Sequence, residues 1–374
     1  MNDKKLIVAL HCNTNDIDSS YGMVEAFSQG LLKGFMQAGV KAYSTEECLE
    51  KDIPFNLAIG FDSLDLKHWQ KILNQKINNI MWSVDSVFVD NYKIVKNFAA
   101  FPNFIVFESS QADLQSTGTY FPTLKHGYIP HAVDLDLFYK KDVEKENDFV
   151  FIASVFDYEQ IIENLKSTMP ESVYNLIMDM QSLCLKNPSI GFWQVSQAVS
   201  QACELKLDAE QYMLLFKNVA DIVTNQHKIK VVQALSDFDL KIYGNGPWEK
   251  YVSGNVKYMG TCSYKDSAEI LQKSKIALHV HPFSLCSGLH TRVLNAAATE
   301  TFVLSTNTLS LNLEFGDTLG YFDNKTFDDV SQKAEYFLNN EEERYEKARK
   351  ANEIVTAKHA WKNRARSILE IISF

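Results

Sequence analysis

The stretch that decides the fold of this chain covers residues 240–307. It begins LKIYGNGPW at residue 240, continues NVKYMGTCSYKDSAEILQKSKIALHVHPF from residue 255, and closes SLCSGLHTRVLNAAATETFVLSTN from residue 284. Short apolar runs alternate here with segments of helical spacing, and a Gly- or Ser-rich turn follows each run. This alternation predicts an α/β protein with a parallel sheet, whose loops gather at the carboxyl edge where such sheets bind ligands.

The first half of the chain shows the same alternation. Five apolar runs have the length and composition of buried strands: KLIVALH (5–11), FNLAIGF (55–61), NNIMWSV (78–84), NFIVFES (103–109) and LKHGYIP (124–130). Helical spacing follows the first three runs, and Gly39 is expected to end the first helix. The pattern predicts a Rossmann-like domain over residues 1–140, although no GxGxxG follows its first strand and the dinucleotide fingerprint is therefore absent.

A change of composition separates the two halves. Residues 139–148 are strongly charged and favour an interdomain linker. The run DFVFIASVF (148–156) then restarts the strand pattern, whereas residues 158–236 carry helical spacing alone. We therefore expect a second Rossmann-like domain over residues 148–355 that contains a helical insertion at about 158–236.

Length, charge and cysteine content restrict the class of protein. With 374 residues the chain suits two domains, and its net charge of −10 argues against nucleic acid as the main partner. The start MNDKKLIVALHCN holds only a short apolar run, so neither a signal peptide nor a membrane span is expected. The six cysteines are scattered without zinc spacing. A cytoplasmic protein with reduced thiols and at most peripheral membrane contact is the simplest expectation.

Two side chains of the first half are candidates for acid–base chemistry. Asp85 directly follows the strand 78–84, and His11 ends the strand 5–11, so both should lie at the carboxyl edge of the sheet. Asp85 could act as a general base or bind a sugar hydroxyl, and His11 is the second candidate for a general base. The alternatives are a helix N-cap for Asp85 and a partly buried structural histidine for His11.

The loop before residue 291 carries the strongest chemical signal in the second half. A helix that starts near residues 288–291 would point its free N–H groups and positive dipole end into the cleft, as an anion site requires. His290, Thr291 and Arg292 add donors, and Arg292 could stabilise a departing diphosphate. The alternative is a small-residue helix that packs on a sheet, with Arg292 in solvent.

Two weaker signals lie nearby. Gly244 and Gly246 would let the backbone approach a ligand closely. His279 and His281 share one strand face, but spacing places no third metal ligand beside them, so we expect no metal site.

These residues carry a family resemblance. IYGNGPW, NVKYMG with the helix to SKIAL, and GLHTRVLNAAATETFVLSTN resemble the GT-B glycosyltransferases, closest to the CgeB-like branch of group 1. The tail LNNEEERYEKARKANEIVTAKHAWKNR, the element WSVDS and the segment IPHAVDLDLF are also similar to that branch. The resemblance implies two facing Rossmann-like domains, a donor bound mainly by the second, and a C-terminal helix (356–374) that returns to the first.

The resemblance also implies a donor site. Tyr258, Met259 and Gly260 would lie beside the nucleotide base of the donor, and Asn295 would lie beside its ribose. The remaining implied donor residues are Gly244, Gly246 and the loop Ser287, Gly288, Leu289, His290, Thr291 and Arg292. This chain departs from the group 1 pattern at several positions. Group 1 has glutamates at the positions of Ser287 and Asn295 and a glycine at the position of Glu300. The arginine that group 1 has after the first strand of the second domain is missing from FIASVFDYE.

The implied function is glycosyl transfer from a nucleotide-sugar, with a UDP-sugar as the first choice of substrate. No metal or other cofactor is expected. The acceptor would be a glycan, a lipid-linked molecule or a protein. The expected setting is the synthesis of a bacterial surface glycan. Two alternatives stay open: a nucleotide-sugar epimerase-like enzyme on the same fold, and a catalytically silent protein that binds sugar nucleotides.

Overall fold

The computed structural model describes residues 6–11, 23–61, 69–70, 73, 76–188 and 190–372. Most of the helical segment predicted at 64–75 lies outside these residues. Two parallel sheets, each of six described strands, form the framework. The predicted α/β class with two facing Rossmann-like domains is confirmed.

The first sheet has the strand order β2-β1-β3-β4-β5-β6. Its strands are β1 (Ile7–Leu10), β2 (Lys41–Ser44), β3 (Leu57–Phe61), β4 (Asn78–Ser83), β5 (Phe104–Glu108) and β6 (Lys125–Tyr128). The accompanying helices are α1 (Met23–Gln37), α2 (Thr45–Glu50), α3 (Tyr92–Phe98), preceded by a π-helical turn (Val87–Asn91), and α4 (Asp113–Tyr120). Gly39 follows α1 with a φ of +84°, which confirms the predicted helix end.

The sequence pattern missed β2. This strand, KAYS, lies at the edge of the sheet, and of its residues only Ala42 is buried. A short strand exposed at an edge lacks the continuous apolar run that marks a central parallel strand.

The second sheet has the order β12-β11-β10-β7-β8-β9. Its strands are β7 (Asn147–Ile152), β8 (Leu240–Tyr243), β9 (Lys257–Tyr258), β10 (Ser274–His279), β11 (Phe302–Thr306) and β12 (Gly320–Phe322). This is the doubly wound order, in which the connections reverse direction between β7 and β10. Loops that leave such a switch point diverge and open a crevice at the carboxyl edge.

Helices surround the second sheet. The segment between β7 and β8 holds α5 (Tyr158–Thr168), α6 (Glu171–Lys186), α7 (Phe192–Ala202) and α8 (Ala209–Ala234). The later helices are α9 (Tyr264–Gln272), α10 (Thr291–Ala298), α11 (Leu309–Phe315), α12 (Val330–Asn339), α13 (Glu341–Lys358) and α14 (Trp361–Ile372). Among the described residues, no helix is both long and apolar enough to cross a bilayer.

The predicted helical insertion is present between β7 and β8. Its helices, however, pack against the first domain. Phe88 of the first domain shares one hydrophobic cluster with Phe192, Tyr212 and Phe216 of the insertion. The rings of Phe88 and Tyr212 have centroids 4.8 Å apart in an edge-on arrangement. The insertion therefore bridges the domains. Both of its ends connect to strands of the second sheet, whereas its hydrophobic core is shared with the first domain.

The C-terminal helix α14 returns to the first domain and packs on α1. Trp361 lies directly over Gly30 and Gly34, and a Cβ atom at Gly34 would lie 2.6 Å from the Trp361 carbonyl oxygen. The buried Arg364 side chain donates hydrogen bonds to the carbonyl oxygens of Pro130 (2.7 Å) and His131 (2.7 Å). These contacts fix the tail of the chain to the segment that follows β6.

Candidate functional site

The loop between β10 and α10 makes the contact between the two carboxyl edges. The Ser287 hydroxyl accepts a hydrogen bond from the Ala112 N–H at 2.5 Å and lies 3.2 Å from the Ser110 hydroxyl. Gly288 forms an isolated β-bridge with Ser110, and a Cβ atom at Gly288 would lie 2.2 Å from the Ser109 carbonyl oxygen. Only glycine fits there, so the closed contact between the domains depends on this position.

The first turn of α10 is already hydrogen-bonded. The Thr291 N–H donates to His131 Nδ1 of the first domain at 3.1 Å, and the Arg292 N–H donates to His290 Nδ1 at 3.2 Å. The next N–H group, that of Val293, donates to the His290 carbonyl oxygen at 3.1 Å. The prediction that this helix presents exposed N–H groups to an anion is therefore wrong, because histidine side chains satisfy the donors first.

His131 holds this contact as a neutral imidazole. Its Nε2–H donates to the Val84 carbonyl oxygen at 2.7 Å, which leaves Nδ1 free of a proton to accept from Thr291. Burial lowers the pKa of His131 to about 4, so this arrangement persists at neutral pH. A histidine in the segment IPHAVD thus joins the first domain to the start of α10.

A cavity of about 320 Å³ opens at the switch point of the second sheet. Four of the predicted donor residues line it: Gly244, Thr291, Arg292 and Asn295. The loop after β7 contributes Ala153 and Ser154, and the segment after β9 contributes Thr261, Cys262 and Ser263. The position of this cavity is the one that doubly wound sheets use for ligands.

The other predicted donor residues are not in the lining of this cavity: Gly246, Tyr258, Met259, Gly260, Ser287, Gly288, Leu289 and His290. The Tyr258 hydroxyl donates to the Gly244 carbonyl oxygen at 2.8 Å, and the Gly244 N–H donates to the Gly260 carbonyl oxygen at 2.9 Å. Tyr258 and Gly260 therefore support the turn at Gly244, which lines the cavity. Their roles as donor contacts stay predictions.

Three charged side chains affect one another electrostatically across the cleft. Arg292 and Lys228 of the second domain lie close enough to Asp85 of the first for its charge to affect both. Burial lowers the pKa of Arg292, and Asp85 opposes that shift. Burial and the Arg292 charge lower the pKa of Lys228 to about 7, while Asp221 and Asp85 oppose the shift. The predicted cleft position of Asp85 therefore places it opposite two cations.

Sequence reasoning missed Lys228. It lies on α8, the last helix of the insertion, and its Nζ donates to the Ser154 carbonyl oxygen at 2.7 Å, beside the cavity. The available signal was a lysine within the mostly apolar segment that precedes β8, which helical spacing alone could not orient toward the cleft.

His11 has a different environment. It is 4% exposed at the end of β1, its Nδ1 lies 2.6 Å from the Thr45 hydroxyl, and its ring packs edge-on against Trp69. It does not line the cavity at the switch point. Its proposed role as a base stays a prediction.

The histidines of the second domain form a buried, neutral cluster. His279 Nε2 lies 3.3 Å from His281 Nδ1, and the His279 ring stacks on His290 at 5.1 Å. Burial lowers the pKa of His279 and of His290 well below the ordinary value. Within the described residues, no group of three or more His, Cys, Asp or Glu side chains is arranged to hold a metal ion.

Residues 226–370 match the model of a glycosyl transferase-like family, and this segment contains β8, β10, α10 and Lys228. This segment is therefore similar to glycosyltransferases, and the chain as a whole has the GT-B fold. No curated protein sequence matches this chain at a significant level.

Solved structures share its fold at low sequence identity. Sucrose-phosphate synthase from Thermosynechococcus elongatus matches with a TM-score of 0.56 and 12% identity, over 98% of each chain. A DNA-modifying β-glucosyltransferase matches with a TM-score of 0.60 and 10% identity, over 99% of this chain and 100% of that one. The T4 phage enzyme BGT in complex with UDP-glucose matches with a TM-score of 0.58 and 10% identity, over 98% and 99%. Matches at this identity establish the fold.

Two departures from the group 1 pattern have a structural context in this chain. Ser287, at a glutamate position, forms a hydrogen bond with the first domain. Glu300, at a glycine position, keeps a left-handed φ of +52°, and its carboxylate forms an ion pair of 2.7 Å with Lys140 of the interdomain linker. Glu300 thus adopts a backbone conformation that glycine accepts without strain and that other residues disfavour.

Proposed function

We propose that this enzyme transfers a sugar from a UDP-sugar to an acceptor hydroxyl and that the diphosphate binds in the cavity at the switch point. The observation that carries the proposal is the pair Arg292 and Lys228 beside that cavity. Two cations in a partly water-excluded cleft match the charge of a diphosphate and stabilise it more strongly as it leaves.

The proposed binding site for the nucleotide base is the segment Thr261, Cys262 and Ser263. It lies next to the turn Tyr258–Met259–Gly260 that the resemblance indicated. A uridine fits the proposal because two structural neighbours were solved with UDP-glucose and with UDP. Asn295, which lines the same cavity, is the proposed ribose contact.

Catalysis is proposed to need no metal. No Asp or Glu is among the described residues that line the cavity, so a Mg²⁺ ion there would lack its preferred carboxylate ligands. The two cations would stabilise the developing charge instead. If the reaction inverts the anomeric configuration, Asp85 is the proposed base. If it retains the configuration, no protein base is needed on the acceptor side.

The biological setting is also a proposal. A cytoplasmic enzyme of the CgeB-like branch that acts on a glycan, a lipid-linked molecule or a protein is consistent with the resemblance. Two neighbours are described as DNA-modifying or as bound to DNA. The net charge of −10 favours an acceptor other than nucleic acid for this chain.

The first test combines a donor panel with one substitution. UDP-, GDP-, dTDP- and CMP-sugars are added in thermal-shift assays, and UDP-sugars alone should raise the melting temperature. Arg292→Ala should lower turnover of the stabilising donor by ~10² or more, the scale for one preorganised charge stabiliser. Arg366→Ala, at an exposed position on α14, serves as the control.

The outcomes are distinct. No shift with any sugar nucleotide would end the transferase proposal, and unchanged turnover in Arg292→Ala would remove that residue from the mechanism. Product analysis with and without acceptor separates transfer from epimerisation, since an epimerase forms its product without an acceptor.

A further inference from the structure

A second cavity, of about 450 Å³, lies where three parts of the chain meet. The first domain contributes Gln111 and Gln115 from the start of α4, and the insertion contributes Gln194 from α7. The second domain contributes Asn307 and Asn324 from its carboxyl edge. Five residues with amide side chains, from three separate regions, thus line one space. Nothing in the proposed donor site uses them.

The cavity carries no charge at neutral pH. None of its described lining residues is Asp, Glu, Lys or Arg. Its two histidines are neutral, because burial lowers the pKa of His227 and the pKa of His281 to about 4. A charged ligand would lose part of its hydration there without gaining a counter-charge, which disfavours its binding. The lining therefore selects a neutral ligand.

The polar groups suit hydroxyls. An amide side chain offers both donors and an acceptor, and a sugar hydroxyl needs both. Gln194 Nε2 donates to Gln115 Oε1 at 3.4 Å, so these two amides are held together, and each retains further donor or acceptor positions. Apolar surface stands beside them, since Ile190 is 41% exposed and Leu309 is 73% exposed at the cavity. Amides with adjacent apolar surface match the hydroxyl edges and C–H faces of a sugar.

The second cavity is close to the proposed donor site. Ser287 lines it, and Thr291, four residues later, lines the cavity at the switch point. Four residues span at most about 14 Å, so the two spaces share one loop. A bound sugar unit in the second cavity can therefore belong to a molecule whose neighbouring unit reaches the donor.

We propose that this second cavity binds a neutral, hydroxyl-rich carbohydrate unit of the acceptor and that the helical insertion, through Gln194, determines which acceptor is used. This inference rests on the proposed function and names its acceptor class. In the reaction, an acceptor hydroxyl oxygen bonds to the anomeric carbon while the bond from that carbon to the diphosphate oxygen breaks. UDP leaves with the electron pair, and the hydroxyl proton passes to Asp85 or to the leaving group.

The test is a titration of the full chain with defined probes, by calorimetry. Maltotriose, chitotriose and mannotriose are the neutral probes, trigalacturonate is the anionic probe, and a 13-base-pair DNA duplex tests nucleic acid. At least one neutral trisaccharide should bind, and trigalacturonate and the duplex should not compete with it. Gln194→Leu keeps the shape of the side chain and should weaken that binding about fivefold, the loss of one neutral hydrogen bond.

Two controls make the result specific. Gln201→Leu changes an exposed glutamine at the other end of α7 and should leave binding unchanged. The affinity for UDP should be the same in both variants. The proposal is overturned if no neutral trisaccharide binds, if the anionic probe or the duplex binds more tightly, or if the two variants behave alike.

Failure of the two proposals can be told apart. If UDP binds and the trisaccharides do not, the acceptor inference is wrong and the donor site stands. If a trisaccharide binds in a Gln194-dependent way and no sugar nucleotide binds, the carbohydrate site stands and the transferase proposal is wrong.

Discussion

The pH dependence of donor binding follows from the environment of Lys228. Burial and the neighbouring Arg292 lower its pKa to about 7, so the free protein loses this positive charge as the pH rises through 7. A diphosphate binds the charged form. Binding should therefore weaken from pH 7 to pH 9, and it should take up a proton over that range.

The magnitude follows from the charged fraction. With a pKa of about 7, roughly one half of the molecules carry a charged Lys228 at pH 7, about one tenth at pH 8 and about one hundredth at pH 9. Because the apparent Kd is the intrinsic Kd divided by the competent fraction, it should rise about fivefold from pH 7 to 8 and about fiftyfold from pH 7 to 9.

Other groups at the site do not produce this slope. The terminal phosphate of UDP has a pKa near 6, so it is already ionised at pH 7. Burial raises the pKa of Cys262 to about 11 and lowers the pKa of His131 to about 4, so neither changes its charge in this range.

Calorimetric titration with UDP at pH 7, 8 and 9, in buffers of different ionisation enthalpy, measures both the affinity and the proton uptake. Lys228→Arg keeps a charge throughout the range and should give a flat profile. Lys228→Met should bind weakly at every pH. A wild-type Kd that is constant from pH 7 to 9, or a slope that survives in Lys228→Arg, would refute this reasoning.

Two further predictions concern the domain contact and the linker. Gly288→Ala should lower the free energy of unfolding by about 1–3 kcal/mol, because its Cβ would lie 2.2 Å from the backbone oxygen of Ser109 and must push the domains apart. Chemical denaturation measures this loss, and an unchanged midpoint would contradict it. Glu300→Gly should be about 1 kcal/mol more stable than Glu300→Ala, since both lose the ion pair with Lys140 but only glycine accepts the φ of +52° without strain. Equal thermal midpoints for these two variants would contradict the strain argument.

Much of the site location was available from the sequence. Parallel strands place the residues that follow them at one edge, so Gly244 and Arg292 could be assigned to a common cleft, as could Asp85 to the facing edge. The free N–H groups expected at the start of α10 were not found. Local sequence predicts an open helix start, but it does not show that His131, 160 residues away, accepts one of these hydrogen bonds.

The stretch 240–307 by itself determined the α/β class, the alternation of strands and helices, and the position of the α10 start, because these depend on the periodicity of neighbouring residues. The tertiary structure decided which charges meet. Lys228 reaches the cleft only because α8 runs back to β8, and the insertion packs against the first domain only because its apolar faces match Phe88 and its neighbours. Such contacts join distant segments, and the spacing of residues along a chain carries no information about them.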